Sequence, residues 1–365
     1  MTGQIAWLES LSPWPAEFGL GRMRALLAEI GQPERAYPAI HVVGTNGKST
    51  VTRRAAAFLE REGLRAGAYT SPHVSGWSER IQVGGEDADL ERALRRVRPP
   101  AERLAATQFE VLTAAALAEF AAAEVDVAVV EAGLGGRLDA TNVLDARVVA
   151  LTNVALDHTG VLGSTRDEIA AEKLAVVAPG ASVVLGEPEW ESLARAAGAG
   201  RIVPAQDVGR AAAETFLGRP LGGEVEIDLP GRFELVGEDV LAGAHNPAGV
   251  EWLIARLPRR DYVVIASILA DKEVEPMLRS LSRVGHAFVA TASGNARSLP
   301  ATELARRARP FFPSVEAVAD PAEALARGRQ LAGADGAVLV TGSLYLLADL
   351  NVRLQRIPWA SSARS

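Results

Sequence analysis

The sequence predicts an α/β protein of two domains: a larger one on a mostly parallel, P-loop-type sheet, and a smaller α/β domain after it. Three observations carry this. A short apolar run, Ile40–Val43, leads into Gly44-Thr45-Asn46-Gly47-Lys48-Ser49 and then a helical stretch. Two further strand-like runs, Val125–Val130 and Arg147–Val154, lead into the polar residues Glu131 and Asp157-His158, as parallel strands do at their carboxyl ends. After a break at Leu229-Pro230-Gly231, strand-like and helix-like stretches alternate again.

The elements follow in order. Met23–Ile30 has helical spacing, with Met23, Leu26, Leu27 and Ile30 on one face. Ile40–Val43 reads as a strand and Val51–Glu62 as a helix. Strand, glycine loop and helix bring backbone N–H groups and a helix N-terminus to one point, which is what an anion site needs. Helix-like and strand-like patterns alternate from Glu119 to Glu131. The boundary is expected between residues 228 and 229. Beyond it, Tyr262–Ile268, Ala287–Thr291 and Ala337–Thr341 read as buried strands, separated by helices such as Pro300–Arg309 and Pro321–Ala332. The tail Ala360–Ser365 is expected to be disordered.

Composition excludes several classes. A hydrophobic content of 48% with 23% charged residues is that of a globular chain able to bury a sizeable core. No cysteine is present, so there is no disulfide framework and no thiolate metal site, which fits a reducing cytoplasm. The first twenty residues lack a basic start followed by an apolar core, so no signal peptide is expected. The most apolar long stretch, Phe109–Val130, is interrupted by Glu110, Glu119, Glu124 and Asp126 and is no membrane span. A net charge of −7 gives no general attraction to nucleic acid.

Lysine usage singles out three positions. Of 38 basic side chains only Lys48, Lys173 and Lys272 are lysines. Under so strong an arginine bias, a surviving lysine is a candidate for chemistry that arginine cannot do, because its amine can lose a proton. Lys48 lies in the glycine loop, where it would reach outer phosphates while Ser49 or Thr50 ligates Mg²⁺. The loop is short, with only two residues between Gly44 and Gly47. Glu131 ends a strand, where an acidic residue orders Mg²⁺ on a nucleotide. His158 follows the next strand; the bland reading is a satisfied surface histidine, and its place beside a phosphate loop favours metal ligation.

Taken together these segments resemble the folylpolyglutamate synthase/dihydrofolate synthase family of the Mur ligase superfamily. The resemblance rests on Pro38–Ser49, Thr70-Ser71-Pro72-His73-Val74 with Glu79-Arg80-Ile81, and Glu131–Asn142. Asn153–His158, Glu172-Lys173, Pro230–Phe233, Gly243–Pro247 and Thr341–Tyr345 extend it, in order, from about Phe18 to Asp349. It implies an ATPase domain and a Rossmann-like C-terminal domain, and an ATP-dependent ligase joining L-glutamate to a folate carboxylate, with dihydropteroate as a second acceptor. Gly44, Thr45, Asn46, Gly47, Lys48 and Ser49 would hold ATP, with Arg232 reaching it from the second domain. Ser49, Ser71, Glu131 and His158 would ligate two Mg²⁺ ions, joined by Lys173 as a CO₂-derived carbamate. Phe109 would lie against the pterin, with Leu138, Asp139 and Ala140 nearby; His245 and Ser343 would position glutamate. A cytoplasmic monomer is expected.

Three departures stand against the family pattern. The loop lacks the extra glycine of Gly-Lys-Gly-Ser, which leaves Ser49 and Thr50 both open as ligand. Ala242 stands where an aspartate usually precedes Gly-Ala-His-Asn-Pro. The stretch from Phe216 to Pro230 is short, and a Gln-x-x-Asn helix on the adenine side has no counterpart. Two rival readings are a superfamily ligase for another carboxylate and a folate- or nucleotide-binding homologue without catalysis. ATP turnover dependent on both glutamate and a folate separates the three.

Overall fold

The computed structural model describes residues 3–354 except Ala16, Asp228 and Arg260, with the side chains of 352–354 left aside. The tail expected at Ala360–Ser365 lies outside the described residues. The chain forms two compact units, Met1–Pro72 with Trp77–Leu229, and His73–Gly76 with Pro230–Ser365.

The first unit carries strands β1 (Ala39–Val43), β2 (Ala66–Tyr69), β3 (Ile81–Val83), β4 (Glu86–Asp87), β5 (Val127–Glu131), β6 (Val148–Leu151), β7 (Ser182–Leu185) and β8 (Arg201–Pro204). They form one sheet in the order β4-β3-β2-β5-β1-β6-β7-β8. The six strands from β2 to β8 pair in parallel, and β3 and β4 add an antiparallel edge. Central strands of such a sheet are covered on both faces, so β1 and β5 are buried along their whole length and are apolar except for His41 within β1 and Glu131 at the end of β5. Side-chain alternation sorts them: Ile40 and Val42 pack with Phe58 and Leu59, whereas Ala39 and Val43 pack with Leu112 and Phe120.

The helices of this unit are α1 (Gly3–Ser10), α2 (Gly21–Glu29), α3 (Lys48–Arg61), α4 (Leu90–Arg103), α5 (Gln108–Ala122), α6 (Thr159–Leu162), α7 (Arg166–Leu174), α8 (Glu191–Ala196) and α9 (Val208–Leu217). Helix α3 begins at Lys48, earlier than the apolar pattern from Val51 suggests, because polar Lys48-Ser49-Thr50 form its first turn. Strand β6 stops at Leu151, short of the expected Val154. Thr152 and Asn153 turn away to bond the phosphate loop. No helix of the described residues is long and apolar enough to cross a membrane.

In the second unit, β9 (Arg232–Val236), β10 (Asp239–Ala242), β11 (Tyr262–Ala266), β12 (Gly285–Ala290), β13 (Ser314–Ala317) and β14 (Val338–Thr341) form a sheet ordered β13-β12-β11-β14-β10-β9. Only the β9–β10 pair is antiparallel. Helices α10 (Pro247–Ile254), α11 (Val274–Leu281) and α12 (Ala301–Ala308) cover one face, and α13 (Pro321–Ala332) and α14 (Leu344–Leu354) the other. This two-sided winding leaves the carboxyl ends of β10 and β14 open at a point where the connections part, the place such sheets use for ligands. The segment His73–Gly76 joins this unit through Val74, which packs with Leu344 and Leu347.

Candidate active site

The loop between β1 and α3 is braced by the segment that leaves β6. The Thr45 amide donates to the Asn153 carbonyl at 2.9 Å, and the Asn46 amide to Asn153 Oδ1 at 2.9 Å. Thr152 Oγ1 donates to the Asn46 carbonyl at 2.7 Å, and the Ala155 amide to Thr45 Oγ1 at 3.0 Å. The two early loop amides are thus spent on shaping the loop. The anion-binding capacity then falls to the first turn of α3, where the amides of Lys48 and Ser49 stand at the positive end of the helix. Gly44 has φ +149° and a Cβ there would sit 1.8 Å from Thr152 Oγ1, so no other residue fits. Lys48 Nζ donates to the Thr45 carbonyl at 3.2 Å, which folds the amine back over the loop. Ser49 is buried in the first turn and Thr50 half-buried, and both remain within the anion-binding turn.

Glu131, at the end of β5, is buried, and its Oε2 accepts from the Ser71 amide at 3.0 Å. That bond brings Ser71, two residues past β2, to the end of the adjacent strand. His158 adopts a left-handed conformation (φ +50°) as the cap of α6; its Nε2 stands 3.9 Å from Asp157 Oδ1. Among the described residues no group of three His, Asp or Glu side chains has metal-ligating geometry. A divalent ion held by Ser49, Ser71, Glu131 and His158 would meet mainly hard oxygen donors, completed by phosphate oxygens, as Mg²⁺ prefers. Glu131, a buried carboxylate at a strand end beside the phosphate loop, suits that role by its chemistry.

Lys173 lies in the last turn of α7 and is buried, with Nζ donating to the Gly44 carbonyl at 2.9 Å. Burial, then the neighbouring Lys48 charge, pulls its pKa down from 10.5 to about 7, so a neutral amine is accessible near neutrality. The Gly133–Gly136 turn packs on this helix end. A Cβ on Gly136 would lie 2.6 Å from the Lys173 carbonyl oxygen and 2.7 Å from that of Glu172. Arg137 completes the junction, its amide donating to the Glu172 carbonyl at 3.1 Å and its Nε to Glu172 Oε2 at 3.0 Å.

Phe109 is half-buried in the first turn of α5, between Tyr69 (ring centroids 6.2 Å apart) and the Gly133 backbone. Thr107 and Glu110 form a capping box that fixes that turn. Leu138 is exposed, whereas Asp139 and Ala140 are buried. The Asp139 carboxylate is turned into its own loop: it accepts from the Leu134 amide at 2.7 Å, the Thr141 amide at 3.0 Å and Thr141 Oγ1 at 2.5 Å. Thr141 Oγ1 in turn meets His41 Nε2 at 2.8 Å. Sequence reading passed over His41. Its signal was one polar residue in the apolar run of β1.

In the second unit the carboxyl ends of β10 and β14 adjoin. The Gly342 amide donates to the Ala244 carbonyl at 3.0 Å, which brings the His245 and Ser343 segments side by side. His245 Nδ1 is 2.9 Å from the Gly243 carbonyl oxygen; buried Ser343 Oγ accepts from the Tyr345 amide at 3.1 Å. Arg232 opens β9 directly across from Ala242, which is buried at an irregularity in the pairing. The carboxylate missing at Ala242 thus leaves an apolar position rather than an open one.

Two family models match the chain: the Mur ligase middle domain over residues 42–197 and the Mur ligase glutamate ligase domain over 231–344. A dihydrofolate synthase/folylpolyglutamate synthase of Mycobacterium tuberculosis is 32% identical, over 82% of this chain and 80% of its own. The chain belongs to the folylpolyglutamate synthase/dihydrofolate synthase family. Solved structures of the family superpose closely. That of M. tuberculosis folylpolyglutamate synthase with ADP has a TM-score of 0.88 at 29% identity, covering 97% of this chain and 98% of that one. The bifunctional Yersinia pestis enzyme with AMPPNP and a Mn ion has a TM-score of 0.83 at 28% identity, with coverage of 97% and 98%. Against the family pattern, residues 218–227 carry no helix or strand and are strapped to α3 and α9 by arginines. Arg54 donates to the Val225 carbonyl at 3.3 Å and Arg210 to the Leu221 carbonyl at 2.8 Å.

Proposed function

We propose that this chain is an ATP-dependent ligase that joins L-glutamate to the carboxylate of a reduced folate, and to dihydropteroate as a second acceptor. The observation that carries the reading is the buried Lys173 amine bonded to the first glycine of the phosphate loop. Residues 1–228 act as the ATP-binding domain and 229–365 as the glutamate-ligase domain.

The first turn of α3 and Lys48 hold the phosphates. The acceptor carboxylate attacks the γ-phosphate, the bond to ADP breaks, and an acyl phosphate forms. The neutral amine of glutamate then adds to the acyl carbon, and phosphate leaves as the amide closes. Direct condensation stalls because hydroxide is a poor leaving group, whereas phosphate is a good one. Lys48 neutralises charge as it develops on the transferred phosphoryl group. A divalent ion bound by Ser49, Ser71, Glu131 and His158 would supply further charge neutralisation on the phosphate oxygens.

Lys173 acts as a carbamate. The ammonium first gives a proton to solvent. The neutral amine then attacks CO₂, the N–C bond forms as one C=O π bond opens, and a second proton leaves, so the side chain ends as an anion suited to a second Mg²⁺. Its depressed pKa of about 7 supports this, since arginine offers no neutral amine. Phe109 takes the pterin, with Leu138 and Ala140 beside it and Asp139 bracing the loop. Arg232 contacts ATP, and His245 and Ser343 orient glutamate. The enzyme works as a cytoplasmic monomer.

An assay of the purified protein with dihydropteroate and tetrahydrofolate in parallel, following ADP release and product mass, tests the reading. ADP release that needs both glutamate and an acceptor, with a product heavier by one glutamyl residue, supports it. ADP release indifferent to glutamate overturns it.

A further inference from the structure

Arg53 lies one turn beyond Ser49 on α3 and is buried. Its Nη2 donates to the Glu79 carbonyl, and stands 3.5 Å from Thr70 Oγ1, next to Ser71. Its Nε and Nη1 have no hydrogen-bond partner and no solvent. A guanidinium retained for bidentate geometry would use its fork, and this one leaves two of three nitrogens bare. Its surroundings explain why the cation is there. Glu79, Asp87, Glu131 and Glu60 all act on it, in that order, against the desolvation that burial imposes. Glu79 and Glu131 are themselves buried, so two of the carboxylates whose charge acts on Arg53 are withdrawn from water. The Thr70–Ser71 segment links the guanidinium to Glu131 through the Ser71 amide.

We infer that Arg53 is the internal counter-charge of the Glu131 site: it balances the buried carboxylates before a metal arrives and sets how much the metal adds to nucleotide binding. It touches no reacting atom and acts through Glu131 and the Thr70–Ser71 segment, so it is a positioning residue. The inference rests on the reading of Glu131 as a metal ligand. A charge buried beside Glu131 partly does what a divalent ion does there. Without it the metal-free site is more negative, holds ADP less well, and gains more when the metal enters.

The test is calorimetric titration of ADP into the full chain, once with a chelator and once with Mn²⁺, and the ratio of the two dissociation constants is the readout. Arg53→Gln keeps a donor for the Glu79 carbonyl but removes the charge, and should raise that ratio by about tenfold over the unaltered protein. Arg53→Lys keeps the charge and should stay within threefold. Glu131→Gln should abolish most of the metal effect; if it does not, the reading of Glu131 fails, independently of Arg53. With that control in place, a ratio in Arg53→Gln within threefold of the unaltered protein overturns the inference. Should the glutamine variant not fold, Arg53→Lys decides: a ratio changed more than threefold overturns the proposal, and an unchanged one supports it.

Discussion

Lys173 Nζ donates to the Gly44 carbonyl oxygen across 2.9 Å, joining the last turn of α7 to the first glycine of the phosphate loop. The contact puts a buried amine where the phosphates would bind and holds it against the positive charge of Lys48. On the proposed function it would account for two of the lysines that persist in an arginine-rich chain, one as a compact cation and the other as an amine.

Lys173→Arg and Lys173→Ala should be about equally inactive, although only one of them removes positive charge. In protein freed of CO₂, added bicarbonate should restore turnover. The reactive form is the neutral amine, so restoration should weaken as pH falls through about 7, where the amine takes up its proton. An active arginine variant would mean that Lys173 serves as an ordinary cation.

Lys48→Ala should lower turnover by on the order of 10²-fold or more, the usual consequence of losing a group that stabilises transition-state charge. Lys48→Arg should fail as well. The amine folds back to the Thr45 carbonyl at 3.2 Å as a compact point charge, a placement that a larger planar fork does not reproduce. Steady-state ADP release measures both.

Gly136→Ala should keep the fold of the first unit yet displace the end of α7. The added Cβ would meet two backbone carbonyls, those of Lys173 at 2.6 Å and Glu172 at 2.7 Å, and neither can swing aside as a side chain would. Overpacking of this kind costs about 1–3 kcal/mol. Denaturant unfolding should show that loss, and turnover should fall further than stability does because Lys173 moves with its carbonyl.

Much of this was legible in the residues. The β1–loop–α3 unit, Glu131 at a strand end and the alternation beyond Pro230 are local patterns of period and punctuation, and they sit where those patterns put them. What was not legible depends on tertiary packing. Thr152 and Asn153 read as strand and instead leave β6 to bond Asn46 and Thr45. Gly136 was visible as a glycine in a rich turn, but nothing in sequence says that it faces Lys173. The short strands Ser182–Leu185 and Arg201–Pro204 were passed over, since four residues carry too little periodicity to separate from a loop. Val74 packs with Leu344, far along the chain, through contacts that no local pattern encodes.

His41 makes stability depend on pH with a definite sign. Burial lowers its pKa from 6.5 to about 4, so the unfolded chain binds more protons than the folded one between those values. Stability from this residue is intact above pH 6.5 and is lost as pH falls toward 4. The full loss is about 3 kcal/mol. His41→Val should unfold with a flatter pH profile than the parent over that window, read as the difference between the two denaturation series. A parallel pair of profiles would place the acid sensitivity elsewhere.

The proposed reaction turns on an acyl phosphate formed between the acceptor and ATP. A reduced folate labelled with ¹⁸O in its carboxylate, turned over with unlabelled ATP and glutamate, tests this directly by mass analysis of the released phosphate. The oxygen that attacks the γ-phosphate leaves with it, so the phosphate should carry one ¹⁸O for each amide formed. Amide product accompanied by unlabelled phosphate would contradict the mechanism.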